Sequence, residues 1–208
     1  SIDMAVYVLG ENNTIYIDDV QLEEKPYATS FVDGTRPHGR LYVPESVWNP
    51  AQGTFACWAK SNDIGGDYRH LTLQWARNDT MGASRFGLSM RADGKMCFNF
   101  GTAIADAIVS PISTDDGEWH HYAATWVNST KEIHLYVDGV KVASESVART
   151  ISNLGGRWNG VIPIGHRGYT YNNQWWNGLI DELLILPFAA SEEEIQRWYA
   201  QSLPLRRA

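Results

Sequence analysis

Short strand-like runs follow one another at regular intervals from about residue 40 to residue 186 of this chain. Asp93-Gly94 and Asp138-Gly139 lie between such runs and predict tight hairpin turns, because glycine readily adopts the positive φ that these turns require. No alternation of strands with helices accompanies the series, which argues against a parallel α/β sheet. The pattern predicts an all-β protein, an antiparallel β-sandwich or jelly roll. The predicted strands are 40–43, 54–60, 70–76, 86–91, 96–101, 107–111, 119–127, 132–137, 141–146, 160–164 and 179–186.

The C-terminal end of the chain combines a final strand with a short helix. Residues 179–186 form an apolar run that contains the acidic pair Asp181-Glu182. Ser191 is followed three residues later by Glu194, a capping box whose side chains satisfy amide groups that are otherwise unpaired at a helix start. We therefore expect a closing strand and one short helix over residues 191–201.

The first 30 residues are expected to form a unit of their own. Two strand-like runs flank the turn-forming residues 10–13, so residues 4–23 predict one β-hairpin. Residues 23–26 are charged, end in proline and predict a linker. The predicted organisation is a hairpin and linker at residues 1–30, the remnant of an upstream module, followed by a sandwich domain at residues 31–208.

Composition excludes two classes of partner. The net charge of −7 and the pI near 5.3 argue against a nucleic-acid or anionic-membrane surface, since both require a basic footprint. No apolar run approaches the ~20 residues that cross a bilayer, so membrane insertion is not expected. The N-terminus lacks the features of a signal peptide, which fits an intracellular protein or a piece of a larger exported one. Cys57 and Cys97 each lie in a strand-like run and are predicted to be buried thiols.

Three motifs occur in a fixed order along the chain. Residues 117–123 read GEWHHYA, residues 134–140 read HLYVDGV and residues 177–183 read NGLIDEL. Together with the capped terminal helix, they resemble the laminin-G-like branch of the concanavalin A-like lectin/glucanase fold over roughly residues 30–200. The resemblance implies a concanavalin A-like jelly-roll sandwich. Because this fold serves lectins, glycosidases and adhesion modules alike, it does not by itself decide the function.

The N-terminal part carries a different resemblance. Residues 1–30 resemble the last hairpin of a carbohydrate-binding jelly roll, and residues 28–36 resemble junctions in modular bacterial surface proteins and phage tail proteins. The resemblance implies that the chain is part of a larger extracellular protein, displayed on a cell surface or a virion.

Catalysis is not expected from the acidic residues and histidines. Glycoside hydrolases ordinarily use two carboxylates, and the glucanases of this fold alternate their acids along one strand, a Glu-x-Asp-x-x-Glu pattern that does not occur here. Asp181 and Glu182 are adjacent in a strand and are expected to point to opposite faces. His120 and His121 are adjacent in the same way, so we expect structural roles for them rather than a zinc site with three or four converging ligands.

A structural calcium ion is the cofactor that the resemblance implies. Asp181 matches the strand acid that in many relatives binds such an ion together with backbone carbonyls from the opposite end of the chain. Residues 34–39 would be the natural source of those carbonyls, and the ion would hold the first strand against the last. The alternative is that Asp181 caps backbone amides at a sheet edge.

Residues 165–176 are the predicted ligand-binding segment. Sugars require flat apolar faces for their C–H surfaces and amides for their hydroxyls, and this segment supplies both. The resemblance implies that Trp176 lies in the core, because relatives place an aromatic at this position, whereas Trp175 points the other way and is the preferred binder. Residues 62–70 are a weaker second candidate. The predicted binding residues are Trp158, Arg167, Tyr169, Tyr171, Asn173 and Trp175.

The sequence therefore predicts a non-catalytic module that recognises a glycan, a polysaccharide or a cell surface. Neighbouring domains of a larger chain are its other expected partners. The alternative is a structural or oligomerisation spacer, in which the aromatic rings shelter the end of the sandwich or contact a neighbouring domain. A glycoside hydrolase is the least favoured function.

Overall fold

The computed structural model describes residues 4–5, 15–17, 41–62, 68–72, 74–78, 82–101, 107–146, 161–166 and 174–206. These ranges contain short strands, one 3-10 turn at Glu45–Val47 and one α-helix, α1, at Glu192–Arg206. The strands are β1 (Met4–Ala5), β2 (Ile15–Ile17), β3 (Leu41–Pro44), β4 (Gln52–Ser61), β5 (Arg69–His70), β6 (Gln74–Asn78), β7 (Gly82–Met90), β8 (Lys95–Gly101), β9 (Ala107–Ser113), β10 (Trp119–Val127), β11 (Glu132–Val137), β12 (Val140–Ser146), β13 (Val161–Ile164) and β14 (Gly178–Leu186).

Two antiparallel sheets form the body of the protein. One has the strand order β12-β11-β10-β4-β14-β2, and the other has the order β5-β7-β8-β9 with β6 also paired to β7. A small third sheet, β1-β3-β13, contains the parallel pair β1–β3. The prediction of an antiparallel β-sandwich with one C-terminal helix is confirmed.

The core lies between the six-stranded and the five-stranded sheet. Along β10, Tyr122, Ala124 and Trp126 are buried in the inter-sheet cluster, whereas Ala123 belongs to a second cluster on the other face. This alternation is the two-residue period of a strand whose two faces are both covered. The five-stranded sheet contributes a row of large side chains: Phe86, Leu88, Met90, Met96, Phe98 and Phe100.

Helix α1 covers the outer face of the six-stranded sheet. Ile195 is fully buried against Ala56 and Ala123, and the ring of Tyr199 stacks on Trp58 with centroids 5.6 Å apart. The small alanines let the helix approach the sheet closely. As a result, the part of the six-stranded sheet beneath α1 is buried on both faces.

The capping box at the start of α1 is confirmed. The Glu194 amide donates to Ser191 Oγ at 3.2 Å, and the Ser191 amide donates to Glu194 Oε2 at 2.8 Å. Each side chain thus satisfies a backbone group that the first helical turn leaves unpaired. The helix runs to Arg206, five residues beyond its predicted end.

Both predicted hairpin turns are also present. Asp138 and Gly139 adopt φ values of 50° and 76°, and this pair of positive angles fits a two-residue turn between β11 and β12. Gly94 has φ 74° in the turn between β7 and β8. These turns depend on local sequence, which is why the sequence predicts them correctly.

The single strand predicted at residues 70–76 is wrong. The structure has two strands, β5 and β6, which pair with successive parts of β7. The amides of Leu71 and Thr72 both donate to the carbonyl of Leu88 at 3.1 Å, so an extra residue interrupts the ladder there.

The single hairpin predicted at residues 4–23 is not what the described residues form. β1 pairs with β3 and β2 pairs with β14, so the two segments lie in different sheets. Each supplies hydrogen-bonding groups to a strand edge of the sandwich that would otherwise be unpaired. The division of the chain into units at residues 1–30 and 31–208 stays a prediction.

Two edge strands carry features that oppose further pairing. In β12, Leu135 pairs with Ala143 and Tyr136 with Lys141, so Val142 is an extra residue that makes a bulge. In β9, Pro111 lacks the amide that a neighbouring strand would use. Bulges, prolines and charged side chains are the means by which proteins protect sheet edges.

Two predictions from composition can be compared with the fold. Cys57 and Cys97 are both free and buried, as expected. Burial raises the pKa of both thiols, which keeps them protonated. Within the described part of the chain, no helix has the length and apolar character needed to cross a membrane.

Candidate functional site at one end of the sandwich

The two segments that the sequence singles out meet at one end of the sandwich. The Gly165 amide donates to the Leu71 carbonyl at 2.7 Å. Nearby, His70 Nε2 lies 3.2 Å from Gln174 Oε1. Because a glutamine Oε1 can only accept, His70 Nε2 is the donor in this bond. The predicted first and second candidate segments therefore form one surface at their described ends.

Trp175 sits on a buried histidine in this surface. Its indole and the His166 imidazole are tilted by 31° with ring centroids 4.9 Å apart, and the two residues form an isolated antiparallel bridge. Tyr42 of β3 contacts the same imidazole edge-on at 5.2 Å. We call Tyr42, His70, His166, Gln174 and Trp175 the Trp175 cluster.

The structure separates the two adjacent tryptophans as predicted. Trp176 is 6% exposed, belongs to the inter-sheet core and donates its indole N–H to the Leu179 carbonyl at 3.1 Å. Trp175 and Gln174 are partly exposed. Trp175 thus has the combination of a supported ring and a solvent-facing part that a binding residue needs. Its ligand-binding role stays a prediction.

The other predicted binding residues lie outside the described residues. They are Trp158, Arg167, Tyr169, Tyr171 and Asn173. His166 lies within the predicted segment 165–176 but was not among the predicted binding residues, and Tyr42 lies outside both candidate segments. They are distant in sequence, and the antiparallel pairing of β13 with β3 brings their strands together.

The adjacent histidines of β10 have opposite environments. His120 Nδ1 lies 2.7 Å from Asp138 Oδ2, and its Nε2 lies 3.1 Å from Asp116 Oδ1. Burial alone would lower the pKa of His120, but the bonds and charges of the two aspartates outweigh it, so the pKa is raised. His121 is buried between the rings of Trp58 and Tyr199. The structural roles expected for both histidines stay a prediction.

Burial lowers the pKa of His121 to about 4 and makes the protein acid-sensitive. Between pH 6.5 and about 4 the unfolded chain binds a proton that the folded one excludes, so stability falls as the pH drops through this window. His121→Phe keeps an aromatic ring beside Trp58 and removes about 2 kcal/mol of the stability loss between pH 7 and pH 4.5. Urea denaturation of both proteins at pH 7 and pH 4.5 measures the difference. A variant with the same pH dependence as the wild type would contradict this prediction. His120 acts in the opposite direction: because its pKa is raised in the folded protein, the stability that it contributes is lost as the pH rises.

Asp181 lies at a bulge in β14. It pairs with Trp58, Leu184 pairs with Ala56, and Glu182 between them has φ 49°. The regular alternation that the sequence analysis assumed for Asp181 and Glu182 is therefore interrupted here. The Glu182 amide donates to Asp181 Oδ1 at 2.7 Å, so this carboxylate does cap a backbone amide.

The residues around Asp181 give a partial test of the predicted calcium site. Asp181 is 8% exposed, and its carboxylate is the kind of oxygen ligand that a hard cation prefers. No group of three or more His, Cys, Asp or Glu residues that could hold a metal is found among the described residues. The predicted source of carbonyl ligands, residues 34–39, lies outside the described ranges. Calcium binding stays a prediction.

Solved structures with a similar fold include binding modules and enzymes. A pentraxin from Limulus polyphemus superposes with a TM-score of 0.52 at 16% identity, covering 70% of this chain and 68% of that one. The CBM40 module of a Ruminococcus gnavus sialidase, bound to α2,3-sialyllactose, gives 0.55 at 14% identity, covering 73% and 84%. A Trypanosoma rangeli sialidase gives 0.57 at 14% identity, covering 75% of this chain and 23% of that one. At these identities the likeness shows the fold.

The family follows from the sequence. No curated protein matches the chain. A family model described as the concanavalin A-like lectin/glucanases superfamily, of the laminin G type, matches residues 33–196. This range includes the five-stranded sheet, every strand of the six-stranded sheet except β2, and the three motifs that suggested the resemblance. The chain therefore belongs to the laminin G-like family of the concanavalin A-like lectin/glucanase superfamily.

Proposed function

We propose that this protein is a non-catalytic glycan-binding module whose ligand contacts the exposed side of Trp175. The observation that carries the proposal is the Trp175 cluster, in which a partly exposed indole is held by a buried imidazole beside an amide. A ring fixed in advance loses little conformational entropy when a ligand packs on it. The neighbouring Gln174 amide provides polar atoms at the edge of the ring.

The comparisons support the same class of ligand. The CBM40 module has the same fold, and the superposition covers 84% of its chain. That module is bound to a sialylated sugar. The family is named for lectins as well as glucanases. We further propose that the module belongs to a larger protein of a bacterial surface or a phage tail, where glycan contact occurs outside the cell.

Trp175→Ala is the direct test of this function. A glycan array that includes α2,3- and α2,6-sialyllactose, lactose and bacterial polysaccharides identifies a ligand, and calorimetry with the best array member gives the affinity. We expect the variant to bind at least tenfold more weakly, which corresponds to about 1.4 kcal/mol. The loss is expected because the apolar face of the sugar then has no ring to cover.

Phe188→Ala is the matched control. Phe188 is 40% exposed, and its carbonyl accepts a hydrogen bond from the Thr54 hydroxyl. Thr54 is about 23 Å along β4 from Ser61, the end of the strand that is nearer to the Trp175 cluster. Its affinity should equal that of the wild type. Equal affinity of both variants, or no binding by the wild type together with a stable oligomer in light scattering, would favour a structural spacer.

Calcium is the cofactor we propose for the region of Asp181. An ion that binds only the folded protein stabilises it by mass action, so EGTA should lower the melting temperature and excess Ca²⁺ should restore it. Asp181→Asn should abolish this response, because an amide is a weaker ligand for a hard cation than a carboxylate. A melting temperature that is the same with and without EGTA would remove the ion from this account.

A further inference from the structure

A buried arginine lies directly beside the Trp175 cluster. Arg69 is 3% exposed, and its Nη1 and Nη2 donate to the two carboxylate oxygens of Asp115, both at 2.8 Å. Nη1 also donates to Ser61 Oγ at 2.7 Å. One guanidinium thus connects the end of β4, the start of β5 and the turn between β9 and β10.

These contacts lie at the two ends of the second candidate segment, residues 62–70. Ser61 and Arg69 stand on either side of residues 62–68, so the bond between them links the two ends of that segment. The Asn62 amide also donates to the Asn177 carbonyl, just before β14. Because Asn177 directly follows residues 165–176, these two bonds join the described ends of both candidate segments near Arg69.

The strand that carries Arg69 is short, and the Leu71 and Thr72 amides that follow it also donate to β7, at the Leu88 carbonyl. β5 consists of Arg69 and His70, which pair with Met90 and Ser89 of β7. A two-residue strand is held by few ladder bonds, so side-chain contacts weigh more in fixing its position. His70 then donates its Nε2–H to Gln174 within the Trp175 cluster.

We propose that Arg69 is a positioning residue for the glycan site: its fork on Asp115 and its bond to Ser61 set the His70 ring against Gln174. The inference rests on the proposed function and names a residue outside the cluster on which that function depends. A guanidinium is suited to this role because its planar donors fix both distance and angle to a carboxylate.

The stability of a buried ion pair and the geometry that it imposes are separate properties. Replacing a buried pair with apolar groups of similar volume is often neutral for stability, because the pair has lost its hydration. The geometry that the pair imposes is not reproduced by apolar side chains, which pack without direction. Stability and site geometry can therefore be separated by experiment.

The double variant Arg69→Met, Asp115→Leu separates them. We expect a melting temperature close to that of the wild type, at least tenfold weaker binding on the same glycan array, and faster solvent exchange of the His70 Nε2 proton in NMR spectra. The control is Arg91→Met, Asp93→Leu, which removes an exposed pair whose nearest atoms are 3.5 Å apart. This control should leave both binding and exchange unchanged.

A stable double variant with wild-type affinity and wild-type exchange would overturn the inference. If the double variant does not fold, Ser61→Ala decides: at least threefold weaker binding with faster His70 exchange supports positioning, and no change in either opposes it. If the wild type binds no glycan on the array, the proposed function fails, and the exchange measurement alone still tests whether Arg69 positions His70.

Discussion

Replacing Trp126 by alanine is expected to lower the free energy of unfolding by about 3–5 kcal/mol, the range for large buried aromatic side chains. Trp126 is fully buried. The centroid of its ring lies 5.0 Å from that of Phe86, 6.1 Å from that of Phe100 and 6.3 Å from those of Phe98 and Trp48. Removing the indole leaves a cavity among rings that cannot collapse into it without leaving their own rotamers. Urea denaturation followed by fluorescence measures the loss.

Trp119→Ala is the matched control for this prediction. Trp119 is at the other end of the same strand and is partly exposed, so it loses less contact area on truncation. We expect about 1 kcal/mol for this change, within the range for single substitutions outside the core. If both variants lost the same stability, Trp126 would not be the centre of the core that the structure describes.

Asp115→Ala is expected to cost a similar amount, about 3–5 kcal/mol, for a different reason. The side chains of Arg69 and Asp115 are 3% and 4% exposed, so the variant leaves a guanidinium buried without its counter-charge. For a chain of this size we expect the melting temperature to fall by roughly 10 °C. Thermal denaturation monitored by circular dichroism gives the value.

The exposed pair Arg91–Asp93 provides the comparison. Its side chains are 39% and 47% exposed, and solvent-exposed pairs contribute about 0–1 kcal/mol. Asp93→Ala should therefore change the melting temperature by no more than a few degrees. Loss of equal stability in Asp93→Ala and Asp115→Ala would show that burial of the pair does not determine its importance.

Features encoded within a few residues could be predicted from the sequence. The turn at Asp138-Gly139 and the cap formed by Ser191 and Glu194 each depend on neighbouring side chains and the backbone between them. The family resemblance implied a core aromatic at Trp176, which the structure confirms, and alternation then placed Trp175 on the other side. Local chemistry therefore gives the strands, the turns and the fold class.

Features that depend on distant pairing could not be predicted. The bond between His70 and Gln174 joins residues 104 positions apart, and Arg69 reaches Asp115 across 46 positions. Both require the register of sheets that no local pattern specifies. The bulge at Glu182 is similar, because it is defined by what β4 places opposite β14. The sequence thus indicates which segments form the candidate site but not how their side chains support it.

The bulge in β12 and the proline in β9 bear on how such a module behaves when many copies are crowded together. Where one sandwich cannot extend the sheet of the next, neighbours at high local concentration stay separate instead of fusing into fibrils. Under the proposed function, copies that stay separate on one assembly would bind several glycans of a surface at once, and such linked binding raises the overall affinity.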